Sequence, residues 1–98
     1  MSQKFSAAIV KEGGHEFAVV LVKIEIVKNI ARARLVSAGC STVLIGMPIV
    51  LAAQDAFGTF SFHGRKELIQ MLRKLEPVQL PWKRYAMTDW NALEQATH

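Results

Sequence analysis

Two short stretches, Phe17 to Val22 (FAVVLV) and Ile49 to Ala53 (IVLAA), carry apolar residues at consecutive positions. Side chains of a strand alternate between faces, so a strand without polar residues needs cover on both sides. No other feature limits the fold as much. The longest uncharged apolar run, Val43 to Ala53, is 11 residues long and contains Pro48. A membrane-spanning helix needs roughly 20 residues, so these runs are expected as core strands and no membrane partner is expected. With 51% of its residues apolar and 20% charged, the 98-residue chain is not a disordered one and has the length of one domain.

Turn and helix signals divide the chain into a regular order. Phe5 to Val10 favours a strand, and Gly13-Gly14 before Phe17 supplies the positive φ of a tight hairpin. The second strand extends in this reading through Lys23-Ile24-Glu25-Ile26-Val27, where apolar and charged residues alternate. Asn29 offers a side-chain oxygen as a helix cap, and a helix runs from Ile30 to about Val43. Its apolar spacings are Ala31, Leu35, Ala38 and Leu35, Val36, Cys40, Val43. Gly46 and Pro48 break the chain before the strand Ile49 to Ala53. Asp55 to Gly58 has Asp first and Gly last, a turn signature, and Thr59 to His63 alternates with Phe60 and Phe62 on one face. From Arg65 to Leu75 the chain predicts a helix with one apolar stripe, Leu68, Leu72 and Leu75, edged by Ile69 and Met71. Lys66, Gln70, Arg73 and Lys74 fall opposite. A last strand covers Trp82 to Thr88, after a segment marked by Pro77 and Pro81.

The order is ββα-ββα-β, with two hairpins, Ala8 to Val22 and Ile49 to Gly64, that suggest a repeated ββα unit. The expected fold is an α+β two-layer sandwich: an antiparallel-rich sheet with both helices on one face. Residues 1–88 form the domain and 89–98 a tail or short helix. The second sheet face is then left bare, and a homodimer would close it. Val20 or Leu51, whichever faces away from the helices, would lie in that interface.

The net charge of +4 is concentrated. Residues 63–84 hold Arg65, Lys66, Arg73, Lys74, Lys83 and Arg84 against Glu67 and Glu76, which equals the whole net charge. These six cations are the candidate contacts for a nucleic acid, although its usual dense basic stripe with interleaved aromatics is missing. Arg65 stands out because a cation at a helix N-terminus opposes the helix dipole. On the helical wheel it also falls toward the apolar side. Such an arginine calls for a partner: a carboxylate, a carbonyl or a bound anion. Trp82, followed by Lys83, Arg84 and Tyr85, is either a cap on the core or a stacking platform.

Known catalytic patterns are missing. Neither phosphate-cradling glycine motif occurs, and His15, His63, His98 and Cys40 lack metal-ligand spacing, so neither cofactor nor metal is expected. Cys40, alone and within a helix, is expected to be structural; a single cysteine fits a reducing, cytoplasmic setting, as does an N-terminus without signal-peptide features. Gln54 and Asp55 lie at one end of the second hairpin and His63 and Arg65 at the other, so no Asp55–Arg65 contact is expected.

The segments Gly46-x-Pro48-Ile49-Val50-Leu51-x-Ala53-Gln54-Asp55, Gly58-x-x-x-Phe62-x-Gly64-Arg65 and Leu80-Pro81-Trp82-Lys83-Arg84-Tyr85 together resemble a group of short bacterial proteins of this length. The resemblance extends to Phe5 to Lys23. It implies a bacterial cytosolic protein, of a kind that travels as a single-gene mobile cassette, and assigns no chemistry. It singles out Gln54, Asp55, Gly64, Arg65 and Trp82. The helix before Gly46 departs from the group at Gly39-Cys40-Ser41-Thr42.

Three functional classes follow. The first is a non-enzymatic binding or adaptor module, homodimeric. The second is a nucleic-acid binder using Arg65, Lys66, Arg73, Lys74, Lys83 and Arg84. The third is a small-ligand-binding protein or enzyme with a polar cleft, for which Gln54, Asp55, His63, Arg65 and Trp82 are the candidate residues.

Overall fold

The computed structural model describes residues 3–75 and 79–87, with side chains at 5–75 and 79–85. The tail expected at 89–98 lies outside the described residues.

Five strands form one mixed sheet. β1 (Gln3–Glu12) and β2 (His15–Leu21) are joined by Gly13 and Gly14, whose φ values of 55° and 81° make the two-residue turn that the sequence signals. β3 (Ile49–Gln54) and β4 (Phe60–His63) form the second hairpin, and β5 (Lys83–Met87) closes the far edge. The spatial order is β4-β3-β2-β1-β5. Every pairing is antiparallel except that of β2 with β3, which is parallel with Val19 beside Val50 and Val20 beside Leu51. The class and the ββα-ββα-β order are as expected.

Between β2 and β3 the chain makes one helical turn, α1 (Ile24–Val27), and the longer helix α2 (Ile30–Ser41). The Arg32 amide donates to Asn29 Oδ1 at 3.1 Å, the cap expected from the sequence. The extension of β2 through Val27 is corrected: the strand ends at Leu21. A parallel connection must leave the sheet and return, which a continuing strand forbids. The apolar residues at positions 24 and 26 suit a single helical turn as well, and Ile26 is buried. On α2 the buried residues are Ala33, Val36 and Cys40, whereas Ala31, Leu35 and Ala38, half of the expected stripe, are exposed.

The expectation that both helices cover one face is also overturned. Phe5, Ala7, Ala18, Val20 and Leu51 pack with Ala33, Val36, Cys40 and Leu44, so α2 covers that face. Val10, Phe17, Val19, Val50 and Ala52 pack with Leu68 and Leu72 of α3 (Lys66–Arg73), on the other. The cause is the parallel join. Two ββα units of the same hand, set side by side with β3 parallel to β2, are related by a half-turn about an axis across the strands. That operation exchanges the faces of the sheet, so the second helix emerges behind it. FAVVLV and IVLAA thus gain cover on both sides within one chain, and the bare second face that motivated a dimer is occupied by α3. Val20 and Leu51 both lie beneath α2, each no more than 1% exposed.

Removing the side chain of Leu72, fully buried beneath α3, is expected to cost about 2–5 kcal/mol of folding stability. Urea titration of Leu72→Ala measures this. A loss below about 1 kcal/mol would mean that α3 is not what closes this face.

Candidate functional site

β3 is longer than β4, and the register pairs Leu51 with His63, so Ile49 and Val50 run on past the last residue of β4. At that point Gly64 turns the chain away toward α3. A Cβ at Gly64 would meet Val50 Cγ2 at 3.1 Å and the Ile49 carbonyl oxygen at 3.3 Å, tighter than ordinary contact, so the turn lies close against β3. The result is a notch at the sheet's β4 corner. Across it passes α2. The cleft has a volume of about 420 Å³ and is lined by Arg34 and Ser37 of α2, Pro48 and Ile49, and His63, Gly64 and Arg65.

Its chemistry is cationic. Arg34 and Arg65 are exposed, His63 and Ser37 half-buried, and no acidic residue is in the lining. Among the described residues neither guanidinium has an ion pair or hydrogen bond; the ion pair within this set joins Lys11 and Glu16, on the first hairpin. Arg65 occupies the N-cap position of α3 and contributes no side-chain cap, while its carbonyl accepts from the Leu68 and Ile69 amides at 3.1 and 3.0 Å. The intramolecular partner expected for Arg65 is therefore not found among the described residues, and the alternative of a bound anion remains. His63 reaches the cleft because it stands opposite Leu51, on the α2 side of the sheet.

Gln54 and Asp55 have a different job. Asp55 Oδ1 accepts from the Phe57 and Thr59 amides at 2.8 and 2.9 Å, and the Gly58 amide donates to the Asp55 carbonyl at 3.1 Å. Gln54 Nε2 donates to the Gly58 carbonyl at 3.1 Å. Both residues fasten the turn at the end of the hairpin away from the cleft, so the five candidates do not form one site. Trp82 is half-buried in the cluster on the α3 side, beside Leu80. That packing favours the core-capping role over a stacking platform.

The six basic candidates do not share one surface. Lys66, Arg73 and Lys74 line the exposed side of α3. On β5, Lys83 shares the α2 side with Tyr85, whose ring stacks on Phe5 at 5.7 Å, and Arg84 falls on the α3 side. Arg65 alone of the six reaches the cleft. The residues that sequence reasoning missed are Arg34 and Ser37. Their three-residue spacing puts them on one side of a helix, but nothing local tells that this side meets the end of β4.

Cys40 is 1% exposed and packs in the α2-side cluster. Burial pushes its thiol up to about 12, far from a nucleophile's range. No helix among the described residues is long and apolar enough to cross a membrane, and no grouping of three or more possible metal ligands occurs among them. Compared with protein-family models, curated proteins and solved structures, the chain matches none.

Because the folded chain keeps the Cys40 proton at pH values where the unfolded chain loses it, its contribution to stability is complete below about 9 and declines as pH rises toward about 12. At pH 8 the thiol is expected to resist a disulfide reagent in native buffer and to react at once in denaturant. Rapid modification of the native protein would contradict the burial.

Proposed function

We propose that the chain is a small, non-enzymatic binding module whose ligand is a small organic anion held in the Arg34–His63–Arg65 cleft. The observation that carries this reading is the pair of arginines. They come from helices on opposite faces of the sheet, converge on one cleft, and are unpaired among the described residues. Guanidinium groups suit planar, bidentate recognition of a carboxylate or phosphate. Pro48 and Ile49 add apolar lining beside the cationic groups, which suits an organic body attached to the anion. The reading includes a reducing, cytosolic setting, where a single buried thiol stays unpaired.

A charge-assisted hydrogen bond contributes about 1.5–3 kcal/mol, roughly a ten- to hundredfold change in affinity. In an NMR titration with phenyl phosphate and benzoate, one of the two is expected to saturate shifts at the Ser37, Gly64 and Lys66 amides. Arg34→Gln and Arg65→Gln should each weaken that binding at least tenfold, while Lys74→Gln leaves it unchanged. Shifts that persist in both arginine variants would overturn the reading. Binding of a single-stranded oligonucleotide that depends on Lys66, Arg73 and Lys74 but not on Arg34 would replace it with the nucleic-acid alternative.

A further inference from the structure

The helix that borders the cleft treats its hydroxyl groups in two ways. Near its C-terminus Ser41 Oγ donates to the Ala38 carbonyl and Thr42 Oγ1 to the Gly39 carbonyl, each at 2.7 Å, the usual outlet for a hydroxyl on a helix. Ser37, one turn earlier, is half-buried in the cleft lining, and its hydroxyl has no hydrogen bond among the described residues. Its donor is left to the cleft. The Pro48 carbonyl, by contrast, is spent on the Ala18 amide at 2.9 Å.

Charge is unbalanced there as well. From Ile26 to Gln54 the chain has no acidic residue, so α2 and β3 bring no carboxylate to the cleft. Glu67, in the first turn of α3, is exposed and outside the lining. Two guanidiniums therefore border one space: Arg34 from the helix over one side of the sheet, Arg65 from the junction with the helix over the other. An anion of charge −1 between them leaves one positive charge uncompensated, whereas a dianion matches both.

We infer that the ligand of this cleft is a phosphomonoester dianion, an inference that rests on the anion-binding reading above and narrows it. A carboxylate offers two oxygens whose lone pairs lie in one plane, and a single guanidinium fork already covers both. A phosphomonoester offers three terminal oxygens set as a tetrahedron and carries about −1.5 to −2 charge at pH 7. Each guanidinium takes a different pair of those oxygens, so the two forks need not share a plane. Donors arriving from the two sides of the sheet require that freedom. Ser37 and His63, both on the α2 side, supply a hydroxyl and a ring N–H to the remaining lone pairs. Pro48 and Ile49 offer apolar contact to the ester's carbon body. A phosphodiester, with two free oxygens and one charge, fits no better than a carboxylate, so the cleft selects against a nucleic-acid backbone.

Calorimetric titration of the protein at pH 7.5 with phenyl phosphate, phenyl sulfate, benzoate and inorganic phosphate separates these features. Phenyl phosphate is expected to bind roughly tenfold or more tightly than benzoate, and than phenyl sulfate, which has the three oxygens but one charge. Inorganic phosphate, lacking the carbon body, should bind more weakly than the ester. Ser37→Ala removes one neutral hydrogen bond and should weaken phenyl phosphate binding roughly two- to tenfold. Alanine favours the helix, so the fold is retained. Benzoate or phenyl sulfate binding as tightly as phenyl phosphate would overturn the inference while leaving a cationic binding cleft in place. Inorganic phosphate matching the ester, or Ser37→Ala without effect, would do the same. If none of the four binds, the anion-binding reading falls with it.

Discussion

The parallel pairing of β2 with β3 is the constraint on which the rest of the fold depends. Its four register pairs join the two most apolar segments of the chain, and Ala18, Val19, Val20, Val50, Leu51 and Ala52 are all essentially excluded from water. Because the two strands run the same way, the connection between them has to cross the sheet, and residues 22–48 do so as α1 and α2. Because the second hairpin is thereby inverted relative to the first, its helix comes out on the opposite face. One pairing choice thus fixes the crossover, the position of both helices and the presence of two separate apolar clusters. An antiparallel β2–β3 join would have placed both helices together and left Val19 and Val50 facing water.

Local signals in the sequence were sufficient where the determining contacts are local. Gly13-Gly14, Asn29, the Asp55–Gly58 turn and the Leu68/Leu72 stripe each act over a few residues, and each is found as read. What could not be read was anything set by the direction in which β3 joins β2. The period-two pattern at 24–26 is satisfied equally by a strand and by one helical turn that buries Ile26 alone. Likewise α2 has apolar residues nearly all round, so its sequence does not say which side is inward; Ala33 and Val36 won over Ala31 and Leu35 because of where the crossover lies. The demand of FAVVLV and IVLAA for two-sided cover was legible. Its answer, a second helix from the same chain, was not.

The candidate site divides along the same line. Gln54 and Asp55 are polar residues whose hydrogen bonds are spent within five residues of chain, so their prominence has a structural origin. Arg65 and His63 are different: no contact within the described residues explains the arginine, and both border a cleft that exists only because β4 stops short of β3's end. Arg34 joins them across the breadth of the sheet edge, and no spacing in the sequence relates positions 34 and 65.

Gly64 joins the end of β4 to the cationic cleft. The residue is exposed to solvent, yet a Cβ there would sit within 3.1 Å of Val50 Cγ2 and 3.3 Å of the Ile49 carbonyl oxygen on the β3 side. A methyl group there would have to push Val50 or the β4–α3 junction back by a few tenths of an ångström. The same push would pull on His63, the last residue holding β4 in register with Leu51. Packing beneath the glycine therefore sets the spacing of the cationic groups above it. It also fixes where β4 leaves β3, at His63 opposite Leu51.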